Sequence, residues 1–419
     1  MTAADTHRAI ETVWRIESAR LIAGLTRIVR DVGVAEELAQ DALVAALEKW
    51  PESGIPENPG AWLMGTAKHR AIDFLRRGTL IVEKHEHLGR EMAEREMQVP
   101  DLATAMDDNI GDDMLRLVFI ACHPVLSTEA RVALTLRLLG GLTTDEIARA
   151  YLSSEPTIAQ RIVRAKRTLT EAKVPFEIPR GADFNARLSS VLQVIYLIFN
   201  EGYSATAGDD WMRPALCEEA LRLGRILAGL VPAEPAVYGL VALMEIQASR
   251  SKARVNSDGE PVLLLDQDRA KWDRLLIGRG LAALERAETL SQGRGPYAIQ
   301  AAIAACHARA VTAGDTDWAR IAELYQDLAR LERSPVVELN RAVAVSMASG
   351  PAAGLELVDA LKDDPALKNY HLLPSVRGDL LKKLGRKDEA RSEFERAASI
   401  TRNMRERNLL LERARACGD

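Results

Sequence analysis

The sequence predicts an all-α protein with more than one domain. Apolar residues recur at three- and four-residue spacing through most of the 419 residues, Ala, Leu, Arg and Glu are abundant, and aromatics make up only 5%. That spacing lays one apolar stripe along a helix, and those residue types lose little side-chain freedom there. The chain also exceeds the roughly 250–300 residues over which one core keeps growing. With 47% hydrophobic and 27% charged residues, a packed protein is expected.

Helical periodicity runs from His7 to Arg77, with Ile10, Val13, Trp14, Leu21, Leu25 and Ile28 on the first stripe. A second helix is predicted over Val34–Trp50 and a third from Ala61 to about Arg77. Between them PESGIPENPG (Pro51–Gly60) holds three prolines and two glycines and predicts a loop. The first module thus spans 7–78. Residues 79–110, rich in charge and broken at Val99-Pro100, read as a linker, and a second helical module spans 111–174, with breaks at His123-Pro124 and Gly140-Gly141. From 184 to 419 helices continue between turn signals, which predicts a C-terminal domain of helical hairpins. A repeat of about 36 residues relates the segment after Gly354 to that bearing Ala390, Phe394 and Ala397, with Gly378 twelve residues before Ala390. This period is near that of tetratricopeptide (TPR) arrays, and a plain helical bundle is the alternative. Asn200–Tyr203 (NEGY) reads either as a structured turn contacting the modules or as a helix end.

Leu142–Leu169 (LTTDEIARAYLSSEPTIAQRIVRAKRTL) has the anatomy of a helix-turn-helix. Thr143 or Thr144 caps a short helix with Ile147, Ala148 and Tyr151 inward. After a turn at Leu152–Ser154, Ser154 caps a second helix whose Pro156 sits in the first turn, where its missing N–H costs little. Ile158, Ile162, Ala165 and Leu169 form its inward stripe. Ser154, Glu155, Thr157, Gln160, Arg161, Arg164 and Arg167 are left for solvent or a DNA groove, in which Arg matches guanine and Gln matches adenine. Lys166 and the outer arginines suit phosphates. A solvated basic helix face is the plainer alternative.

Three stretches resemble sigma-70 family RNA polymerase sigma factors. EIARAYLSSEPTIAQRIVRAKRTL is similar to their promoter −35 reading region 4, and VAEELAQDALVAALEKW with PGAWLMGTAKHRAIDFLRR is similar to region 2. HPVLSTEARVALTLRLLGGLT, YLIFNEGY, GPYAIQAAIAACHARA and SPVVELNRAVAV resemble the extracytoplasmic-function (ECF) subgroup with a TPR-like C-terminal extension. The resemblance implies core RNA polymerase and promoter DNA as partners. It assigns polymerase docking to Glu36, Glu37, Leu38, Gln40, Asp41 and Leu43, as acidic and apolar residues on one helix face. It assigns capture of a flipped −10 base to the loop Glu52–Asn58, through Ser53, Ile55, Glu57 and Asn58, with Lys68, His69, Asp73, Arg76 and Arg77 near the single strand. Trp62 is either a stacking platform or a core residue beside Leu63, Ile72 and Phe74. Region 2 carries few aromatics, so dependence on a near-consensus promoter is expected. The C-terminal domain is expected to contact and regulate the two modules in cis.

Net charge is −5, from 55 Lys and Arg against 60 Asp and Glu, which excludes a globally basic nucleic-acid binder and leaves local patches. Cys122, Cys217, Cys306 and Cys417 show no metal-ligand spacing, and the longest apolar stretch, Val191–Phe199, is too short for a bilayer, so a cytoplasmic protein with no membrane contact is expected. The His85–His87 triplet (HEH) is a poor metal pair, since residues two apart diverge on a helix. No phosphate loop, GxSxG or HExxH appears, so neither an enzyme nor a cofactor is expected. A helix-turn-helix regulator with a ligand- or peptide-sensing helical domain is the competing reading; it would not need region 2.

Overall fold

The computed structural model describes residues 3–86 and 110–418, apart from residues 152, 258 and 292. The chain divides into two compact units, Met1–Ile195 and Tyr196–Asp419.

The first unit contains α1 (Ala3–Val29), α2 (Val32–Ser53), α3 (Pro59–Glu86), α4 (Ile110–Ala121), α5 (Thr128–Leu138), α6 (Thr144–Ala150) and α7 (Glu155–Glu171), and α8 (Gly181–Tyr203) begins in it. Helix α1 is the hub, because α2, α3 and α4 all pack on it. Its Ile10, Leu21, Ile22 and Leu25 are almost wholly buried. Asp31 starts α2 by accepting the N–H groups of Gly33 and Val34 at 2.8 and 3.0 Å. These are two of the donors that a helix leaves unpaired at its start.

Two helix limits differ from expectation. α2 continues through Pro51 to Ser53, so only 54–58 separate it from α3, which begins at Pro59. Pro51 forfeits the one bond its N–H would have made to Leu47 C=O, and the helix ends soon after it, at Ser53. Gly54, at φ 82°, ends the helix with its N–H donating to Trp50 C=O at 3.0 Å. α3 runs on to Glu86, into the stretch expected to be linker, so His85 and Glu86 are helical. His87 and the rest of the expected linker to Asn109 lie outside the described residues.

α8 opens the expected C-terminal domain, yet its first half belongs to the first unit. Phe184 meets Phe119 of α4 edge-on at 5.5 Å, and Ser190 donates to Cys122 C=O at 2.7 Å while accepting from Arg131. Asn200–Tyr203 form the last turn of α8, where Glu201 pairs with Arg213 and Tyr203 stacks on Phe199 at 5.6 Å.

The second unit holds α9 (Pro214–Leu230), α10 (Pro235–Ala248), α11 (Arg274–Leu290), α12 (Pro296–Arg309), α13 (Trp318–Leu331), α14 (Pro335–Ser349), α15 (Pro351–Ala360), α16 (Leu372–Lys383), α17 (Lys387–Ile400) and α18 (Met404–Arg415). Each packs on the next, as helical hairpins do. Five of them start with proline in the first turn, where its ring presets the backbone. The glycines singled out by the repeat sit at tight crossings. A Cβ on Gly378 would lie 3.0 Å from the Phe394 ring, and one on Gly354 would lie 2.4 Å from Ser346 Cβ. The unit's first and last segments meet: β1 (Ala207–Gly208) pairs in parallel with β2 (Arg402–Asn403). Buried Asn403 donates from Nδ2 to the carbonyls of Ala205 and Asp210 at 3.2 and 2.9 Å.

His307 on α12 is buried, and desolvation, followed by the charges of Arg250 and Arg269, pulls its pKa from 6.5 down to about 4. The folded state therefore holds the imidazole neutral where the unfolded chain would protonate it. Its contribution is complete above about pH 6.5 and is lost as pH falls toward 4, on the order of 3 kcal/mol. The melting temperature is expected to drop across that window, and His307→Gln is expected to flatten the profile there; equal slopes in both proteins would refute the assignment.

Candidate nucleic-acid interface

Helices α6 and α7 build the helix-turn-helix. Thr143 is the cap residue of α6: its hydroxyl accepts from Glu146 N–H at 3.1 Å, and the Glu146 carboxylate accepts from Thr143 N–H at 2.8 Å. Such reciprocal capping fixes where a seven-residue helix begins. Ile147 and Ala148 are buried and Tyr151 half-buried, and Leu152 in the turn lies outside the described residues. Ser154 caps α7 through Thr157 N–H at 3.3 Å.

Ile158, Ile162, Ala165 and Leu169 are the buried residues of α7, matching the predicted inward stripe. Ser154, Glu155, Thr157, Gln160, Arg164 and Arg167 are exposed, and Arg161 and Lys166 are half-buried. Arg167 pairs with Glu171 at 2.6 Å, but both side chains are well solvated, so the pair is weak and can be exchanged for a phosphate.

In the first module, Ser53 ends α2, with its hydroxyl donating to Lys49 C=O at 2.9 Å. Ile55 is half-buried and Glu57 exposed in the short connection. Asn58 caps α3, its side chain accepting Ala61 N–H at 3.0 Å. His69, Asp73, Arg76 and Arg77 are exposed along one side of α3, and Lys68 is half-buried. Their spacing of three and four residues makes one ridge along α3. Trp62 is half-buried and meets the buried Trp50 edge-on at 5.3 Å, while Phe74 is exposed. Among the described residues no group of His, Cys, Asp or Glu could hold a metal, and no helix is long and apolar enough to cross a membrane.

Comparison with known proteins places families on these elements. Residues 16–80 match Sigma-70 region 2 and residues 116–169 match Sigma-70, region 4, in that order. The chain carries the two conserved regions of the sigma-70 family and is similar to ECF sigma factors. Residues 187–288 match a family of unknown function, DUF6596. The chain is 44% identical over 383 residues to an uncharacterised protein of Rhizobium meliloti (strain 1021), covering 91% of this chain and 89% of that one. It is 26% identical over 168 residues to "Probable ECF RNA polymerase sigma factor SigI" of Mycobacterium tuberculosis, covering 40% of this chain and 57% of the relative. An ECF RNA polymerase sigma factor SigK of Mycobacterium sp. (strain KMS) is 28% identical over 148 residues, 34% of this chain and 72% of that relative.

The six α2 residues expected on one docking face do not share a face. Glu37 and Asp41 are exposed, with Asp41 paired to Arg70 at 3.0 Å; Gln40 and Leu43 are half-buried; Leu38 and Glu36 are buried. Adjacent helical residues diverge by about 100°, so 36, 37 and 38 cannot point together. The outward side instead carries Glu37, Asp41, Val44 and Glu48, with Val44 49% exposed. Glu36 turns toward region 4: Arg137 of α5 donates to its Oε1 at 2.6 Å, and Lys166 of α7 pairs with Oε2. Arg15–Glu146 at 2.7 Å, Arg27–Asp113 at 3.2 Å and Thr170–Asp31 at 2.9 Å tie the same two regions together. Nothing in the sequence marked Arg137, because its partner lies 101 residues away.

Proposed function

We propose that this chain is a sigma factor that docks on core RNA polymerase through region 2, reads the −35 element with α7 and the −10 element with the 54–58 connection and α3, and directs transcription initiation in the cytoplasm. The observation that carries this reading is α7, a capped second helix that turns Gln160, Arg164 and Arg167 to solvent while its apolar stripe is fully used. Among the described residues, neither Gln160 nor Arg164 has a hydrogen-bond or ion-pair partner, so both are available to base edges. The acidic and apolar outward side of α2 suits a basic docking partner. All of these steps are binding steps.

The compact first unit is a closed form in this reading. Promoter elements named −35 and −10 lie about 25 base pairs apart, roughly 85 Å of B-DNA, whereas Lys166 of the −35 helix touches Glu36 of region 2. Both regions can engage a promoter only after that contact parts. The C-terminal domain, read as TPR-like hairpins, regulates this opening in cis; the support is that α8 leads into it from a seat on α4 and α5.

Purified chain and core RNA polymerase, with DNA from the chain's own upstream region, are expected to give a discrete transcript that needs both proteins. Absence of a transcript together with failure to co-elute with polymerase would favour the ligand-sensing regulator. Deleting residues 204–419, which leaves α8 seated, is expected to change transcript yield several-fold; unchanged yield and polymerase affinity would end the cis-regulation proposal.

A further inference from the structure

The C-terminal unit buries three arginines with no acid in ion-pair contact, although the exposed Asp315 acts on Arg269 through space. Arg250, Arg254 and Arg269 are each less than 9% exposed, and no described Asp or Glu forms an ion pair with any of them. Their partners are neutral. Arg250 donates to the Tyr203 hydroxyl at 2.6 Å and to Gln247; Arg254 lies 3.4 Å from the centre of the Tyr203 ring; Arg269 donates to the Ala310 carbonyl at 2.8 Å and the Thr316 hydroxyl at 3.1 Å. One nitrogen on each guanidinium, Nε of Arg250 and Arg269 and Nη1 of Arg254, has no partner at all. Carbonyls and ring faces satisfy hydrogen bonds but do not cancel charge, and buried charges are normally paired.

A cavity of about 390 Å³ opens beside this cluster. Arg250 and His307 stand in its wall with Tyr196, Gln247, Gln300 and Tyr325, and His307 Nδ1 is another buried atom without a partner. The volume suits a small molecule. Arg254 and Arg269 do not line the cavity, but in a poorly screened interior their charge adds to that of Arg250. Glu332, also in the wall, is the opposing charge. It favours a ligand with a donor or a cation at its far end.

We propose that this cavity is a binding site for a small anionic molecule, whose carboxylate or phosphate group sits against Arg250 while a hydrogen-bond donor faces Glu332. The site lies within one unit, and its test needs no polymerase, so failure of the sigma reading would leave it standing.

The test is thermal unfolding of the full chain with inorganic phosphate, succinate or glutamate, against sodium chloride at equal ionic strength. At least one probe is expected to raise the melting temperature with rising concentration beyond the chloride control. A response to phosphate alone assigns a phosphate group, and a response to the other two assigns a carboxylate. Glutamate, whose ammonium group would meet Glu332, is expected to lose about tenfold in half-saturation in Glu332→Gln, while phosphate, freed of a like charge, binds at least as well. Arg250→Met is expected to abolish the probe's effect and, by removing a buried uncompensated charge, to leave the ligand-free protein at least as stable. Should that variant fail to fold, Gln300→Ala reads the same loss of response from another wall. If no probe exceeds the chloride control, or if the response persists in both variants, the proposal is wrong.

Discussion

Replacing Glu36 with alanine will lower the melting temperature of the first unit by about 6–20 °C. Glu36 is 3% exposed and is shared by Arg137 and Lys166, whose side chains are only 22% and 21% exposed. Removing the carboxylate strands two largely desolvated cations at the contact of regions 2 and 4, and breaking such a buried arrangement from one side costs about 3–5 kcal/mol. For a unit of this size each kcal/mol corresponds to roughly 2–4 °C. Glu37→Ala, one residue on but exposed, is expected to change stability by no more than about 0.5 kcal/mol. Calorimetry on the two variants decides the matter, and equal losses would show that the cluster holds nothing together. The same variant has a functional reading. If the contact must part before promoter engagement, Glu36→Ala should raise promoter occupancy at limiting polymerase even as it loses stability. A stability defect that merely removes protein would lower both.

Substituting Arg164 with alanine will reduce transcription from a promoter with an intact −35 element by roughly 5- to 150-fold, the value of about 1–3 kcal/mol for one good base-edge contact. Co-elution with core polymerase will be unchanged, because Arg164 is exposed on α7 and absent from the ties between regions 2 and 4. Arg167→Ala, which frees Glu171 and removes the proposed phosphate contact, should weaken binding evenly across sequences and reduce its salt dependence. Run-off assays on the native promoter and on one with a scrambled −35 element separate these effects. A loss for Arg164→Ala that is equal on both templates would place it on phosphates.

The helix-turn-helix was legible because one rule decides it: a narrow apolar stripe at 3.6-residue spacing with polar caps at both helix starts. Ile158, Ile162, Ala165 and Leu169 bury as that rule requires. α2 was legible as a helix, but its outward face was misassigned. Ala35, Leu38, Ala39, Ala42, Ala45 and Ala46 bury on one arc of about 120°, against α1 and α3, yet five of the six are alanines, which mark an inward stripe weakly. Glu36 then looks like any other surface acid until Arg137 and Lys166 arrive from distant segments. The end of α2 was misplaced for a local reason: composition marks Pro51 as a breaker, yet losing one N–H bond this near its end does not stop the helix. Arg250, Arg254 and Arg269 were invisible for the same reason as Glu36. An arginine enclosed by Tyr203, Trp272 and main-chain carbonyls is written in the sequence just as a solvated one is.

The pairing of Ala207–Gly208 with Arg402–Asn403 changes how the C-terminal unit should come apart. An open stack of hairpins frays from its ends, each repeat melting at its own free energy, because it touches only its neighbours. Here the outermost hairpin is clasped to the segment that precedes α9, and Arg405 reaches back to Glu260 as well. Neither terminus of the stack is an end in the energetic sense. Melting α18 must also release the Ala205–Asp210 segment, so amide exchange at Asn403 and at Ala205 should open with one shared free energy, close to that of the whole unit.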